Sequence, residues 1–354
     1  GAPATAPAAA AARTRTKAGL IYLRVVDDRF GPQRTPTGPK SWSAWPTWLP
    51  ALEASAAANA AEVTYYFVGA PGNFTCPNCV SVPLDVDGLL DRVQTYLNIS
   101  RDEVEIKKLK SKICDLKPMW PTLFPEISQK HEFVGFADAD VLFGDLAGEV
   151  AALGPEDDVL VPSSWHPFPL ANGNFMLFRS EPRVLDVFRG AKAWRKAVRS
   201  PGYSVFDEWH GRGDKTDSFM HALLEAHLTG AIRPRPTRRL FVQDVMSGGR
   251  DLWARPAKVV VTWARGALRV AYDGPCACSK DLVPQFSVAQ CSFCVKRPGE
   301  TLPDHPVKRD LEVLAYHMLS AKNWVQPVAA ALSRCARFSL TKRPDGFEHY
   351  LACD

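Results

Sequence analysis

The chain has 354 residues, of which 46% are hydrophobic and 23% charged, and its formal net charge is +5. This length allows a large core in one domain or two. The mild positive charge is spread along the chain instead of forming one tract, so nucleic acid is not an expected partner. No apolar run reaches the roughly 18 residues of a membrane span, so the sequence itself predicts none.

Residues 1–19 are rich in Ala, Pro and Thr and lack apolar periodicity. This composition predicts a disordered stem or an expression remnant, and a stem would fit an anchor upstream of residue 1. Neither an internal repeat nor a linker interrupts the remainder. We therefore expect residues 20–354 to form a single domain.

Apolar strands alternate with helical segments after this stem. The pattern predicts strands at 20–26, 62–68, 133–138, 157–162 and 174–180, and helices at 51–61, 87–98, 146–153, 181–198 and 217–228. Prolines break residues 112–127 into turns and short helical pieces. Residues 258–272 resemble a hairpin, and an irregular cysteine-rich elaboration follows near 274–300. The alternation predicts an α/β fold with a mostly parallel sheet flanked by helices.

The nine cysteines occur in groups, with Cys114 standing apart. Eight grouped cysteines and a buried thiol at Cys114 would suit four disulfides in an oxidising compartment. For the cluster near 276–294, a zinc site is the alternative. The sequons at Asn73 and Asn98 agree with the secretory pathway. The groups are Cys76 and Cys79, then Cys276, Cys278, Cys291 and Cys294, then Cys335 and Cys353.

Two carboxylates, Asp138 and Asp140, end the apolar run in FVGFADADVLFGD. An ionised carboxylate removed from water costs several kcal/mol unless a cation or hydrogen bonds compensate it. Ligands of open α/β sheets bind beyond the carboxyl ends of the strands. The pair therefore predicts a Mn²⁺ or Mg²⁺ site that also holds a diphosphate. A solvated turn with two surface aspartates is the alternative.

Several blocks of the sequence together resemble a known family of enzymes. The blocks ICDLKPMWPTLFPEI, FVGFADADVLFGDL, NGNFMLFRS, FDEWHG and YHMLSAKN occur in this order between residues 112 and 323. This set is similar to the nucleotide-sugar-dependent glycosyltransferases of the GT-A (Rossmann-like) fold, and most similar to a largely uncharacterised group from bacterial polysaccharide clusters. The resemblance implies transfer of a sugar, from a UDP-sugar by preference, to a hydroxyl of a glycan or glycoprotein. The grouped cysteines, the sequons and the stem would fit such an enzyme in the Golgi lumen.

The resemblance also implies roles for particular residues. Asp138, Asp140 and His317 would hold the metal, while Asp115, Lys117, Asp138, Asn172, Gly173 and Lys322 would face the nucleotide sugar. Asp207 or Glu208 would be the general base if the reaction inverts the anomeric carbon. Structural explanations remain open for several of them: a core histidine on an amphipathic helix for His317, a helix cap for Asp115, a β-turn for Asn172 and Gly173, and an exposed lysine for Lys322.

Two other functions remain open. A phosphohydrolase of the haloacid dehalogenase type also places Asp-x-Asp after an apolar strand, and Asp138 would then be its nucleophile. A non-catalytic sugar-binding protein could keep the same fold. The cysteine-rich insert and the segment RVVDDRFGPQRTP depart from the bacterial group.

Overall fold

The structure is a computed structural model. It describes residues 16–25, 27, 29, 34–35, 38–39, 45–46, 48–107, 109–163, 173–204, 206–207, 218–243, 245–246, 250–251, 258–274, 307–317, 337–343 and 346–350. Its strands are β1 (Ala18–Arg24), β2 (Arg34–Thr35), β3 (Gly38–Pro39), β4 (Val63–Gly69), β5 (Cys79–Pro83), β6 (Phe133–Ala137), β7 (Val141–Phe143), β8 (Val159–Ser163), β9 (Phe175–Arg179), β10 (Pro234–Gln243), β11 (Val245–Met246), β12 (Arg250–Asp251), β13 (Lys258–Ala264), β14 (Ala267–Gly274), β15 (Val307–His317), β16 (Arg337–Arg343) and β17 (Gly346–Tyr350).

The helices of the described residues are mostly short. They are α1 (Leu49–Ala58), α2 (Val86–Leu97), α3 (Leu109–Asp115), α4 (Trp120–Leu123), α5 (Pro125–Ser128), α6 (Leu146–Ala151), α7 (Pro182–Leu185), α8 (Trp194–Arg199) and α9 (Phe219–Leu228), with 3₁₀ turns at Arg101–Glu103, Lys117–Met119 and Val187–Gly190.

One large sheet runs through the described chain in the order β5–β4–β1–β6–β9–β8–β10–β15–β14–β13–β16–β17, and β7 pairs with β15. The pairs β4/β5, β1/β4, β1/β6, β8/β10 and β10/β15 are parallel, whereas β9 runs antiparallel between β6 and β8. The predicted α/β class, with a mostly parallel central sheet flanked by helices, is confirmed. Antiparallel strands β14, β13, β16 and β17 extend it at one edge.

The central strands are apolar on both sides because helices cover both faces of the sheet. On β1, Ile21 belongs to one buried cluster and its neighbour Tyr22 to another. Helices α2 and α4 contribute to the cluster of Ile21, and α1 and α6 to that of Tyr22. Strand β6 needs Gly135, since a Cβ there would lie 1.8 Å from the Met176 carbonyl oxygen on β9. The carboxyl ends of β1 and β6 are thus held at a fixed edge of the sheet.

Most predicted elements are confirmed within a few residues, including the hairpin β13–β14, which turns through Arg265 and Gly266 at positive φ. The single long helix predicted for 181–198 is wrong. Ala191 is extended (φ −74°, ψ 123°) between the 3₁₀ turn and α8. This break brings the rings of Phe188 and Trp194 edge to face, with centroids 5.5 Å apart, so tertiary packing overrides the helical pattern.

Strands β15, β16 and β17 lie in a part of the chain for which the sequence predicted no strands. The amphipathic-helix alternative for His317 is wrong, because residue 317 ends strand β15. Most of the cysteine-rich segment near 274–300 lies outside the described residues, as do residues 1–15 of the predicted stem. The division into one domain therefore stays a prediction.

Cys76 and Cys79 form a disulfide, as their grouping predicted. Cys114, predicted to be a buried thiol, is half-buried and forms no disulfide with any described residue. Cys335, Cys353 and the cluster near 276–294 lie outside the described part of the chain. In that part, no helix is both long and apolar enough to cross a membrane.

Candidate functional site

The two aspartates of the sequence motif lie in a turn between β6 and β7. The Asp138 amide donates to the Asn174 carbonyl (2.9 Å), just before β9. The indole Nε1 of Trp48, just before α1, donates to the carbonyl oxygen of Ala139 (2.7 Å). The backbone of the turn is thus fixed from two sides. The fold therefore determines the backbone positions from which the side chains of Asp138 and Asp140 extend.

Lys117 lies in the 3₁₀ turn after α3, and oxygen atoms surround its ammonium group. Its Nζ is 2.8 Å from Asp138 Oδ1 and 3.2 Å from Asp207 Oδ2, and it donates to the Gly173 carbonyl (2.6 Å). The Lys117 side chain is 4% exposed, that of Asp207 0% and that of Asp138 25%. We call Lys117, Asp138 and Asp207 the charged cluster.

Burial by itself would lower the pKa of Lys117. The negative charges of Asp138 and Asp207, with a smaller contribution from Cys114, outweigh burial and hold this pKa well above its usual value. Lys117 is therefore a permanent cation between two carboxylates at neutral pH.

The residues that precede Lys117 bind the segment that carries Asp207 (residues 199–204, 206 and 207, the Asp207 segment). Asp115 is completely buried, and its two carboxylate oxygens accept the amides of Ser204 (2.8 Å) and Phe206 (3.0 Å). These bonds place Asp207 one residue beyond the second anchored amide. Asp115 thus holds the backbone next to Asp207 in place. Its predicted contact with the nucleotide stays a prediction.

Lys112 holds the start of the same segment. Its buried ammonium donates to the carbonyl groups of Ala197 (2.8 Å) and Val198 (3.0 Å) and to that of Ser200. These carbonyls lie at the end of α8, where the last turn of a helix has no partners of its own. Burial lowers the pKa of Lys112 to about 8, although Asp115 and Glu105 oppose the shift.

Tyr203 completes the contacts of Asp207. Its hydroxyl donates to Asp207 Oδ1 at 3.1 Å, so one oxygen of Asp207 faces Tyr203 and the other faces Lys117. Asp207 is completely buried, whereas Tyr203 is 44% exposed. The phenol ring therefore lies at the boundary between the buried charged cluster and solvent.

Tyr22, which lies on strand β1, adds a further polar group near the site. Its hydroxyl is buried and has no hydrogen-bond partner among the described residues. Burial raises the pKa of Tyr22, and the charges of Tyr65 and Asp138 raise it further. A buried donor without a partner is uncommon in folded proteins and often marks a place for a ligand or water.

The donor atoms of this site fit a hard divalent cation. Asp138 and Asp140 are partly exposed carboxylates on one short turn, and carboxylate oxygen suits Mn²⁺ and Mg²⁺. Strand β15 pairs with β7 so that the backbone of His317 lies opposite Val141, directly after Asp140. Among the described side chains, no group of three His, Cys, Asp or Glu residues forms a metal-binding cluster. A third ligand from His317 therefore stays a prediction.

The structure brings several of the predicted residues together. Lys117, Asp138, Asp207 and the Gly173 carbonyl meet in the charged cluster, although residues 117 and 207 are far apart in sequence. Asn172, Glu208 and Lys322 lie outside the described residues.

Lys112, Tyr203 and Trp48 also hold or border the site, and the sequence analysis missed all three. For Lys112 a signal existed, since charged residues at 112, 115 and 117 interrupt the apolar positions of an otherwise buried stretch.

Comparisons with known proteins place the chain as follows. Residues 46–278 match a protein family described as "Family of unknown function (DUF6625)". No curated protein matches the chain in sequence. Among solved structures, mouse xyloside xylosyltransferase 1 in its apo form is similar with a TM-score of 0.38 and 11% identity over 87% of this chain and 98% of that one. The galactosyltransferase LgtC, in complex with donor and acceptor sugar analogs, has a TM-score of 0.37 and 10% identity over 89% and 95%.

Proposed function

We propose that this chain, which belongs to the family of unknown function DUF6625, is a glycosyltransferase. Because the family has no described function, the proposal is argued from the residues of the chain itself. The reaction moves a sugar from a nucleotide diphosphate sugar, with UDP favoured, to a hydroxyl of a glycan or glycoprotein. Asp138 and Asp140 make it dependent on Mn²⁺ or Mg²⁺. The fold that the sequence motifs imply for this reaction is GT-A.

The observation that carries the proposal is the charged cluster at the carboxyl edge of the sheet. Buried ion pairs are weak evidence for stability, because the desolvation of the charges offsets their attraction. Buried charges with strongly perturbed pKa values, such as Lys117, occur often at functional sites. The position of the cluster beyond the ends of β1 and β6 is also where ligands of such sheets bind.

The chemistry of the cluster suits a sugar ring. Hydroxyl groups donate hydrogen bonds to carboxylates, so neighbouring hydroxyls of one sugar can donate to Asp138 and Asp207, whose positions Lys117 fixes. Such bonds to charged groups are stronger than those between neutral groups. We therefore assign Asp138, Lys117 and Asp207 to the donor sugar. The unpartnered hydroxyl of Tyr22 is a further donor on the same side.

The turn that carries Asp138 and Asp140, which we call the acidic turn, is proposed to bind the diphosphate end of the donor. A cation held by Asp138 and Asp140, with His317 as the proposed third ligand, would neutralise charge that develops on the leaving diphosphate. Lys322 and Asn172 are proposed to contact the donor as well. In the transfer, the acceptor oxygen bonds to the anomeric carbon while the bond to the diphosphate oxygen breaks, and the proton of the hydroxyl passes to a base.

The charges around Asp207 make it an unfavourable base. If Asp207 took up a proton, the buried ammonium of Lys117 would keep one carboxylate partner instead of two. We therefore assign Asp207 to donor binding, and Glu208 remains the proposed base for an inverting reaction.

We also propose that the enzyme works in the lumen of the secretory pathway, as Golgi enzymes do. The disulfide of Cys76 and Cys79 and the exposed positions of Asn73 and Asn98 support this. Mass spectrometry of the protein from its native host, without reductant, should find that disulfide and a glycan on one of the two asparagines. A free Cys76–Cys79 dithiol with both asparagines bare would contradict it.

The test of the activity is to incubate the protein with a panel of UDP- and GDP-sugars and Mn²⁺, and to measure release of the nucleoside diphosphate. Asp138→Asn and Asp140→Ala should each lower the rate by at least about 100-fold, since they remove metal and donor contacts. Asp91→Asn is the matched control, because Asp91 is an exposed carboxylate paired with Arg101 at the surface.

The outcomes separate the three functions. Release that stops in EDTA and in both site variants supports a glycosyltransferase. Hydrolysis of a simple phosphate ester with no release from any nucleotide sugar would favour the phosphohydrolase. Binding of sugars without turnover would favour the non-catalytic protein.

A further inference from the structure

The Asp207 segment is fixed to the rest of the protein along its length. At its start, the Glu105 amide donates to the Arg199 carbonyl (3.2 Å) and the Lys107 amide to the Pro201 carbonyl (3.3 Å). At its end, Asp115 holds two amides, and the Phe219 amide donates to the Phe206 carbonyl (3.3 Å). Residues 199–204, 206 and 207 therefore present their side chains in defined positions.

Tyr203 is the large aromatic residue that this segment exposes. Its ring is 44% exposed although its hydroxyl is bound to the completely buried Asp207. The bond to Asp207 fixes the hydroxyl end of the ring, and the anchored backbone fixes its other end. An aromatic ring with so little freedom loses little conformational entropy when a ligand packs on it.

We propose that the ring of Tyr203 is the platform on which the sugar ring of the acceptor packs. This inference rests on the proposed glycosyltransferase function and names its acceptor as a glycoside, a molecule with a sugar ring, and not a bare peptide hydroxyl or water. The apolar C–H face of a sugar packs on an aromatic face, while its hydroxyls stay hydrated at the edges.

The position of Tyr203 favours the acceptor over the donor sugar. The charged cluster, with Asp207 and Lys117 almost fully buried, lies on the inner side and binds the donor in the proposed function. Tyr203 lies one hydrogen bond further out, at the solvent boundary. An acceptor that arrives from solvent would reach this outer ring without passing the buried charges.

The test compares Tyr203→Leu and Tyr203→Phe with the wild type, using the nucleotide sugar that the panel identifies and a set of methyl and p-nitrophenyl glycosides as acceptors. Tyr203→Leu should raise the KM for the glycoside about 3- to 10-fold, the loss expected for one aromatic contact. Both variants lose the hydrogen bond to Asp207, so the slow release of nucleoside diphosphate without acceptor and the KM for the donor should shift by the same factor in Tyr203→Leu and Tyr203→Phe. Tyr203→Phe keeps the ring and should keep the glycoside KM, while the lost bond to Asp207 lowers kcat.

Tyr96→Leu is the matched control, because Tyr96 is 37% exposed on α2 and belongs to no part of the site. It should leave every parameter unchanged. An unchanged glycoside KM in Tyr203→Leu would overturn the inference while the glycosyltransferase function stands. Transfer to water or peptide hydroxyls with no transfer to any glycoside would overturn it as well. Absence of nucleoside diphosphate release in the wild type is the separate outcome that rejects the proposed function.

Discussion

The substitution Lys117→Met removes the cation from the charged cluster and keeps a side chain of similar length. Its first effect should be on stability. The carboxylate oxygens of Asp138 and Asp207 lie within about 6 Å of each other, because Nζ is 2.8 Å from one and 3.2 Å from the other. At an effective dielectric constant of about 20, two unit charges at that distance repel by about 3 kcal/mol. Removing one partner of a buried ion pair typically costs about 3–5 kcal/mol, which agrees.

The assay is thermal and urea unfolding of the wild type and the variant. A loss of about 3–5 kcal/mol should lower Tm by roughly 4–7 °C in a chain of this size. The pKa of Lys117 is raised in the folded state, so its contribution is fully present below the unfolded value of about 10.4 and is lost only above that, as pH rises through the folded pKa. The deficit of Lys117→Met should therefore be the same at pH 7 and pH 9.

Lys196→Met is the matched control, since Lys196 is an exposed lysine on α8. It should change the free energy of unfolding by less than about 0.5 kcal/mol. If Lys117→Met loses no more stability than Lys196→Met, the two carboxylates are not held as an ionised pair around Lys117, and the reasoning fails.

Three further variants test the supports of the site. Asp115→Ala leaves two buried amides without acceptors and should lower the free energy of unfolding by about 3 kcal/mol or more. It should also lower kcat more than it raises the KM for the donor. Equal stability of variant and wild type in urea would contradict this. Burial lowers the pKa of Lys112 to about 8, so between about pH 8 and 10.4 the unfolded state binds more protons than the folded state. The free energy of unfolding of the wild type should therefore rise over this range. Lys112→Met should lack this rise in urea unfolding. A rise of the same size in Lys112→Met would assign it to other groups. Trp48→Phe removes the hydrogen bond to Ala139 and should weaken Mn²⁺ binding several-fold in calorimetry with Tm nearly unchanged; unaltered Mn²⁺ affinity would remove Trp48 from the support of the turn.

The sequence predicts much of the parallel half of the fold because its signals are local. Apolar runs such as residues 133–137 are buried on both faces, and prolines mark the starts of short helices such as α4. The two aspartates after β6 could also be recognised from a local signal, because carboxylates directly after a buried strand are costly unless a cation or hydrogen bonds compensate their charge. The break at Ala191 could not be predicted, because it depends on where Phe188 and Trp194 find space in the core.

The candidate site depends on contacts that no local pattern encodes. Which oxygens Lys117 would meet was open, and the structure pairs it with Asp207, 90 residues later in the chain. Lys112 and Asp115 likewise bind backbone groups of residues 197–206, which any sequence could supply. Strand β15 joins the sheet between β10 and β14, and this long-range pairing brings residue 317 beside the acidic turn.

The central claim is that the charged cluster binds the sugar of the donor, and one calorimetric comparison tests it most directly. The measurement is the affinity of the nucleotide sugar identified by the panel and of its nucleoside diphosphate, both with Mn²⁺, for the wild type and Asp207→Asn. We expect the nucleotide sugar to bind the wild type more tightly than the nucleoside diphosphate does. Asp207→Asn should abolish that difference and leave the affinity for the nucleoside diphosphate within about twofold. An undiminished advantage of the nucleotide sugar in Asp207→Asn would contradict the claim.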